Sequence, residues 1–311
     1  MNLPVWQIFF DDILSCMTNI SVAATGLTGL IGSRIEELLS EDFEWLALRY
    51  EDGFDITSPE KVDKAIFSFN GEAVLHLAAF TDLNAANKEQ GDKNGMCWRI
   101  NVLGTRNIAG ACQKYGKYLI HVSTDAVFGG EKKSLYTEED VPGPIEWYGQ
   151  TKLWAEEEVK KSKASAAIVR FAYPFRARFE PKKDFVRKII DQLKNGEEIS
   201  MFSDTIFTPT FIDDIAEAMK VILAKKPVGI FHVVGSTALS PFAAAKEVAK
   251  VFDLDKKLIK PQKLDDYLKS GGRPYPRYAA LSNEKLKREL GVSMWSFPDA
   301  LREMKRIRRR I

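Results

Sequence analysis

From Ile20 onward the chain alternates short apolar runs with longer stretches whose apolar residues recur every three or four positions. The runs ISVAAT (20–25), EWLALRY (44–50), EAVLHLAA (72–79), YLIHVST (118–124) and AAIVRFAY (166–173) read as strands. Between them, GLIGSRIEELLSE (29–41), PEKVDKAIFSF (59–69), NGMCWRINVLGTRNIAGACQKYG (94–116) and EWYGQTKLWAEEEVKKSK (146–163) carry helical spacing. Pro59 suits the first turn of its helix and Gly116 the end of its own. Strands this continuously apolar, separated by helices, predict a doubly wound parallel sheet covered on both faces.

The pattern loosens after Tyr173. PFRARFEPKKD (174–184) reads as a loop leading into the helix FVRKIIDQLKNG, GIFHVVG (229–235) as one more strand, and LSPFAAAKEVAKVFDLD (239–255) as a helix opened by Ser240-Pro241. GGRPYPRYAAL (271–281) is a loop followed by a terminal helical stretch. The expected division is a dinucleotide-binding domain over 18–173 and a smaller α/β substrate-binding lobe over 174–311, partly interleaved with the first. Residues 1–17 form a separate extension of uncertain order. It lacks a basic n-region and carries Asp11 and Asp12, so it is a poor signal peptide and too charged to span a membrane. Met17 is a candidate natural start.

Composition adds mainly exclusions. A chain of 311 residues, 45% hydrophobic and 28% charged, is an ordinary globular one. Its net charge of +2 argues against a nucleic-acid partner. The basic end MKRIRRRI (304–311) reads as a solvated helix terminus. Cys16, Cys97 and Cys112 are too scattered for a disulfide framework or a zinc site, and His76, His121 and His232 sit inside strand runs. No metal and no membrane partner are expected, and the compartment expected is the cytoplasm.

Thr25-Gly26-Leu27-Thr28-Gly29-Leu30-Ile31-Gly32 follows the first strand and opens the first helix. Glycines at this place allow a tight turn and close approach of a pyrophosphate to the backbone N–H groups of the helix start. At the end of the second strand, Arg49 suits the 2′-phosphate of NADPH, whereas an acidic residue would suit the ribose of NADH. Glu51 and Asp52 lie just beyond it. Asp55 and Ile56 stand where such folds contact adenine, and the small residues of LAAFTD (77–82) would let a cofactor lie close.

The strand YLIHVST ends in Ser123-Thr124-Asp125, and Tyr148 and Lys152 come one loop later, four apart on one helix face. In a doubly wound sheet all three fall at the carboxyl ends of the strands, in the crevice that the glycine loop borders. Reduction of a ketone builds charge on its oxygen. Tyr148 would supply the proton, Lys152 would lower the tyrosine pKa and hold the nicotinamide ribose, and Thr124 would fix the carbonyl oxygen.

TGLTGLIG, HLAAFTDLNAAN, INVLGTRNIAGAC, VSTDAVFGG, YGQTKL and FTPTFIDDIA together resemble the extended short-chain dehydrogenases/reductases. Within them the chain is similar to the dTDP-4-dehydrorhamnose reductase family, over roughly residues 20–300. The resemblance implies a Rossmann-type fold and an NAD(P)H-dependent reduction of a 4-keto nucleotide-sugar. It assigns catalysis to Thr124, Tyr148 and Lys152. The cofactor would be held by Gly26, Thr28, Gly29, Leu30, Ile31, Gly32, Arg49, Asp55, Ile56, Ala78, Ala79, Asn101, Tyr148, Lys152 and Tyr173. Thr81, Thr124, Asp125, Thr210 and Arg273 would face the nucleotide-sugar. A homodimer would form through the helices at 94–116 and 147–162, on or beside which lie Trp98, Trp147 and Trp154. Ala126 stands where a sugar 4,6-dehydratase has Glu, and no Cys/His pair matches that of GDP-fucose synthase. FAYPFRARFE departs from the usual reductase wording, so the sugar pocket is expected to differ. A nucleotide-sugar 4-epimerase, and a regulatory subunit like the methionine adenosyltransferase beta subunit, remain alternatives.

Overall fold

The computed structural model describes residues 20–310; the extension at 1–17 and its proposed start at Met17 lie outside them. Six parallel strands form the central sheet in the order β2-β1-β3-β4-β5-β9. They are β1 (Ile20–Thr25), β2 (Phe43–Leu48), β3 (Ala73–His76), β4 (Tyr118–Thr124), β5 (Ala166–Phe171) and β9 (Gly229–His232). The chain moves from β1 outward to β2, then crosses back to β3 on the other side of β1. That reversal opens a crevice at the carboxyl ends of β1 and β3, the place where doubly wound sheets take ligands.

Both faces are covered. One carries α1 (Gly32–Leu38) and α7 (Ile212–Lys225), packed on Val22, Ala24, Leu75, Ile120, Val169 and Phe231. The other carries α2 (Pro59–Ser68), α4 (Thr105–Lys114) and α5 (Trp147–Ser162), packed on Ala23, Val74, Leu119 and Ile168. Sequence punctuation fixes several ends. Ser58 caps α2 ahead of Pro59 by accepting from the Lys61 N–H, and Ser240 does the same for α8 (Pro241–Val251) by accepting from Ala243.

The strands end a few residues earlier than the apolar runs suggest, β3 at His76 and β5 at Phe171. Beyond these ends Leu77 still donates to the Thr25 carbonyl and Ala172 is buried, while Ala78 to Thr81 and Tyr173 leave the sheet. The expected helix 94–116 is not uniform. It starts at Met96, widens into a π-type turn over Arg99–Gly104, and regains α geometry at Thr105.

After β5 the chain builds a second core from Phe175, Val186, Ile190, Phe207, Phe211, Val248, Phe297 and Leu301. Here α6 (Phe185–Lys194), α8 and α10 (Phe297–Arg310) surround a parallel pair, β7 (Ile199–Phe202) with β10 (Ile259–Gln262). A further short pair joins β6 (Pro174–Phe175) to β8 (Thr210–Phe211). α7 and β9 return to the first sheet, so the lobe is threaded through it. α7, α3 (Leu83–Lys88), α9 (Leu264–Lys269) and the strands β6, β7, β8 and β10 were not anticipated. α7 was passed over although Ile212, Ile215, Ala216 and Met219 follow helical spacing, and the strands are two to four residues long.

Candidate active site

The glycine loop is shaped by backbone contacts. Gly26 has φ +77°, and a Cβ there would lie 2.7 Å from the Ala78 nitrogen. A Cβ on Gly32 would overlap the Gly26 carbonyl oxygen. Strand β1 is tied to the crevice wall by Thr25, whose carbonyl accepts from Leu77 (3.1 Å) and whose hydroxyl oxygen accepts from Ala78 (3.2 Å). His76 holds that hydroxyl from the other side at 2.8 Å and reaches Thr105 Oγ1 at 3.1 Å with its second nitrogen. Burial lowers the His76 pKa to about 3, so the imidazole is neutral and serves as a fixed link. Thr28 and Gly29 are exposed at the loop tip, with Leu30 and Ile31 half-buried behind them.

Arg49 stands exposed just past β2, in long ion pairs to Glu36 (3.8 Å) and Asp52 (4.0 Å). The Asp55 carboxylate closes its own turn, accepting from the Thr57 N–H and hydroxyl at 2.8 Å each. Ile56 is buried in the same cluster that Ala78 packs against, and its carbonyl accepts from Asn107 Nδ2 at 2.9 Å. The Asp55 carboxylate is thus taken up by its own turn, and the Ile56 side chain belongs to the core. Ala78 and Ala79 line the exit of β3, and Thr81 is exposed beyond them.

Thr124, Asp125, Tyr148 and Lys152 converge beyond β4. The Thr124 hydroxyl donates to Asp125 Oδ1 (2.9 Å) and accepts from the Ala126 N–H (3.2 Å). A Cβ on Gly149 would overlap the Ala126 carbonyl oxygen, so the glycine beside Tyr148 is what lets α5 approach this turn. Lys152 is buried and donates to the Val122 carbonyl at 2.6 Å. Desolvation brings its pKa down to about 8, opposed by Glu156 and Cys97. Burial raises the Asp125 carboxyl to about 7 against the hydrogen bonds it accepts.

Lys152 was expected to lower the Tyr148 pKa; in this arrangement the phenol is raised. Burial pushes the phenol up, and the Asp125 carboxylate pushes it further; a hydrogen bond with Thr124 pulls the other way. The Lys152 ammonium gives one of its three N–H groups to Val122. Tyr148 is thus a neutral phenol, the proton-bearing form.

Asn101 sits in the π-type turn, a device that often marks functional sites. Its amide accepts from the Phe80 N–H (2.8 Å) and donates to Thr151 Oγ1 (3.0 Å). It acts by joining the exit of β3 to α5. Thr210 is fully buried, with its hydroxyl accepting from the Gly235 N–H (3.3 Å) and its own N–H donating to the Tyr173 carbonyl (3.3 Å). It supports the site from behind and does not face a substrate. Arg273 is half-buried in an ion pair with Glu146 and lies over the Tyr275 ring at 5.8 Å. Tyr173 has φ +42°, a strained value for a non-glycine residue, and its hydroxyl meets that of Tyr275 at 2.6 Å.

Several contributors escaped the sequence reading: Glu146, Gly149, Tyr275 and a buried ionic network under α5. Glu156 and Arg170, both at most 1% exposed, form a two-pronged pair at 2.8 and 2.7 Å. Ser123 donates to Glu156 at 2.6 Å, and Arg170 reaches His232 at 3.3 Å. The signal was available. An arginine inside the apolar run AAIVRF demands a buried anion, and Glu156 lies one turn beyond Lys152. Trp147 packs with Ala86 and Cys97 and edge-on against Trp154, with Trp98 beside them.

A model of the family described as "RmlD substrate binding domain" matches residues 20–309. A dTDP-4-dehydrorhamnose reductase of Mycobacterium tuberculosis is 30% identical over 84% of this chain and 84% of that protein. The probable low-salt glycan biosynthesis reductase Agl14 of Haloferax volcanii is 28% identical over 89% of this chain and 94% of its own length. Among solved structures, the dTDP-4-dehydrorhamnose reductase of Bacillus anthracis in complex with NADP superposes with a TM-score of 0.85. It shares 26% identity and covers 93% of this chain and all of that one. A glycine-lined crevice, a Thr/Tyr/Lys set at its mouth and a family match across nearly the whole described chain lead to one assignment: the protein belongs to the RmlD substrate-binding-domain family of extended short-chain dehydrogenases/reductases.

Proposed function

We propose that the protein reduces the 4-keto group of a nucleotide-sugar of the dTDP-4-dehydrorhamnose kind with NADPH. The observation that carries this reading is the meeting of Thr124, Tyr148 and Lys152 at the mouth of the crevice that Gly26 and Gly32 open. The two positions have no room for a Cβ, which makes the loop a cradle that a pyrophosphate fits. The exposed guanidinium of Arg49, held only by long ion pairs, is suited to a 2′-phosphate. When bound, the cofactor supplies a hydride to the carbonyl carbon.

The chain's own residues do the rest. With substrate bound, the Thr124 O–H would turn from Asp125 Oδ1 to the carbonyl oxygen and set its position. Tyr148, kept protonated, gives its phenolic proton to that oxygen as negative charge develops there. Lys152 steadies the nicotinamide ribose from the floor of the site, next to the Val122 carbonyl it already holds. Asp125 and Arg273 bear on the sugar. Nucleotide-sugars and NADPH are cytoplasmic supplies, and the cytoplasm is the compartment this reading takes; among the described residues no helix is long and apolar enough to cross a membrane. Half-buried Trp98 and Trp154, beside exposed Met96, are the face through which two copies would pair, which light scattering tests.

The deciding assay follows nicotinamide absorbance with NADPH and dTDP-4-dehydrorhamnose. Stoichiometric oxidation by the wild type, reduced about 10²- to 10⁴-fold in Tyr148→Phe, is expected. A retained cofactor with no net oxidation would point to epimerisation and overturn the proposal.

A further inference from the structure

The Tyr173–Tyr275 hydroxyl pair is not used by the chemistry above. Tyr173 leaves β5 two residues after Phe171, which pairs with Thr124 in the sheet, so it emerges alongside Asp125. Its ring packs on the cluster that holds Val127 and Ala172, with Leu153 of α5 against the same cluster. Tyr275 arrives from the other lobe. The loop that carries it is anchored to the start of α5 by the ion pair of Arg273 with Glu146, two residues before Tyr148. It is stitched to the segment after β4 by Tyr278 N–H donating to Gly130 (3.0 Å) and Tyr136 N–H donating to Ala280 (2.9 Å). Both rings are braced by aromatic neighbours, Tyr173 by Phe207 at 4.5 Å and Tyr275 by Phe202 at 5.0 Å. The pair therefore bridges the end of β5 and the loop that carries Arg273.

Burial above all, with the Asp125 carboxylate adding to it, pushes both phenols up, so each keeps its proton. Two phenols carry two O–H groups. One closes the 2.6 Å contact and the second remains free, while both oxygens keep lone pairs. The pair thus presents one donor and one acceptor side by side, the complement of an alcohol. The carbonyl oxygen is already served by Thr124 and Tyr148, so the alcohol in question is a neighbouring one.

We propose that Tyr173 and Tyr275, with Asp125 beside them, form a two-lobe clamp that recognises the sugar hydroxyl adjacent to the ketone. The proposal rests on the reductase reading and makes these residues determinants of substrate choice. In a 6-deoxy-4-keto hexose the hydroxyl adjacent to the ketone is the one on C3. It also reassigns Tyr173 from the cofactor to the sugar. A site built to pair a hydroxyl rejects an analogue lacking it, because its own polar groups are then left without partners.

The test compares wild type, Tyr173→Phe, Tyr275→Phe and the double variant on dTDP-4-dehydrorhamnose and its 3-deoxy analogue, reading kcat/KM with NADPH saturating. Wild type should favour the hydroxylated substrate by about 100-fold or more. Each phenylalanine variant should lose about tenfold on that substrate and nothing on the 3-deoxy analogue, which doubles as the control for folding. The double variant should be little worse than either single one, since the two hydroxyls act as a unit. Equal losses on both substrates, or no loss on either, would overturn the clamp while leaving the reductase standing. Wild type that oxidises NADPH with neither substrate would bring down the reductase reading, and the clamp with it.

Discussion

On the dinucleotide side of the crevice, the candidate residues fall in short stretches of chain, although Thr25 and Gly26 are set against the distant Ala78, and the backbone does most of the work. Gly26, Gly32 and Thr25 belong to one loop, and Tyr148, Gly149 and Lys152 to one turn of helix. On the sugar side, contacts span the chain. Tyr173 meets Tyr275 across 102 residues, and Arg273 meets Glu146 across 127. The first kind of site is written as spacing, and the second is made by folding. Catalytic groups can be held by local geometry, whereas substrate choice depends on how the lobe docks.

The sharpest way to break the comparison is to attack the buried ion pair that ties α5 to β5. Glu156→Gln leaves the Arg170 guanidinium buried against a neutral partner. A loss of about 3–5 kcal/mol in urea unfolding is expected. The same change at Asp213, which pairs with Arg34 at 2.7–2.9 Å but in partly exposed surroundings, should cost about 1 kcal/mol or less. Similar losses at the two sites would mean that burial does not set the value of these pairs.

That contrast also marks how far the sequence could be read. The sheet, the glycine loop and the Thr124/Tyr148/Lys152 set were legible because period-2 and period-3.6 patterns and short spacings survive in one dimension. Arg170 was passed over because it sits in an apolar strand run whose pattern it barely disturbs. Tyr275 lay in a loop already noted for Arg273, but its partner is set by the docking of the lobe. Lys152 falls on the helix face that spacing suggested, but its hydrogen bond to Val122 depends on backbone geometry that spacing does not reveal.

Asp125 lies where the two sides meet, and its titration sharpens the picture. Its carboxyl moves from 3.8 to about 7 on folding, so the folded state holds the proton more tightly. The associated stability is present below about pH 4 and is lost as pH rises through about 7. Asp125→Asn should therefore be more stable than wild type at pH 8, by up to about 4 kcal/mol, and equal to it at pH 4. Urea melts at the two pH values measure this. The same ionisation pushes the Tyr148 phenol up, so wild-type reduction should weaken above neutrality, and the Asn variant should flatten that decline. A pH-independent stability difference would show that the carboxyl is not buried as described.

Within the dinucleotide half, two glycines separate backbone conformation from close approach. Gly26 and Gly53 both have positive φ, +77° and +85°, but only Gly26 faces another backbone. Gly53→Ala should cost about 1–2 kcal/mol for the left-handed conformation alone. Gly26→Ala adds overlap with Ala78, for about 3 kcal/mol in total, together with a measurable loss of NADPH affinity by calorimetry. Equal costs would assign the Gly26 requirement to φ alone.

Arg49 gives the smallest expected effect and tests the local half of the comparison most directly. It has the right position at the end of β2, yet nothing in its spacing distinguishes a phosphate ligand from a solvated surface arginine. Its ion pairs to Glu36 and Asp52 are long, and the side chain is 42% exposed, so little binds it in place. An exposed charge-assisted contact is worth about 1 kcal/mol, which sets the scale at roughly fivefold. Arg49→Ala should lower kcat/KM for NADPH by about that factor and leave the value for NADH unchanged, because only NADPH carries the 2′-phosphate. An equal fall with both cofactors would make Arg49 a support of the β2 exit through Glu36. No fall with either would move 2′-phosphate recognition to the loop tip at Thr28, still within the half of the site that short spacings describe.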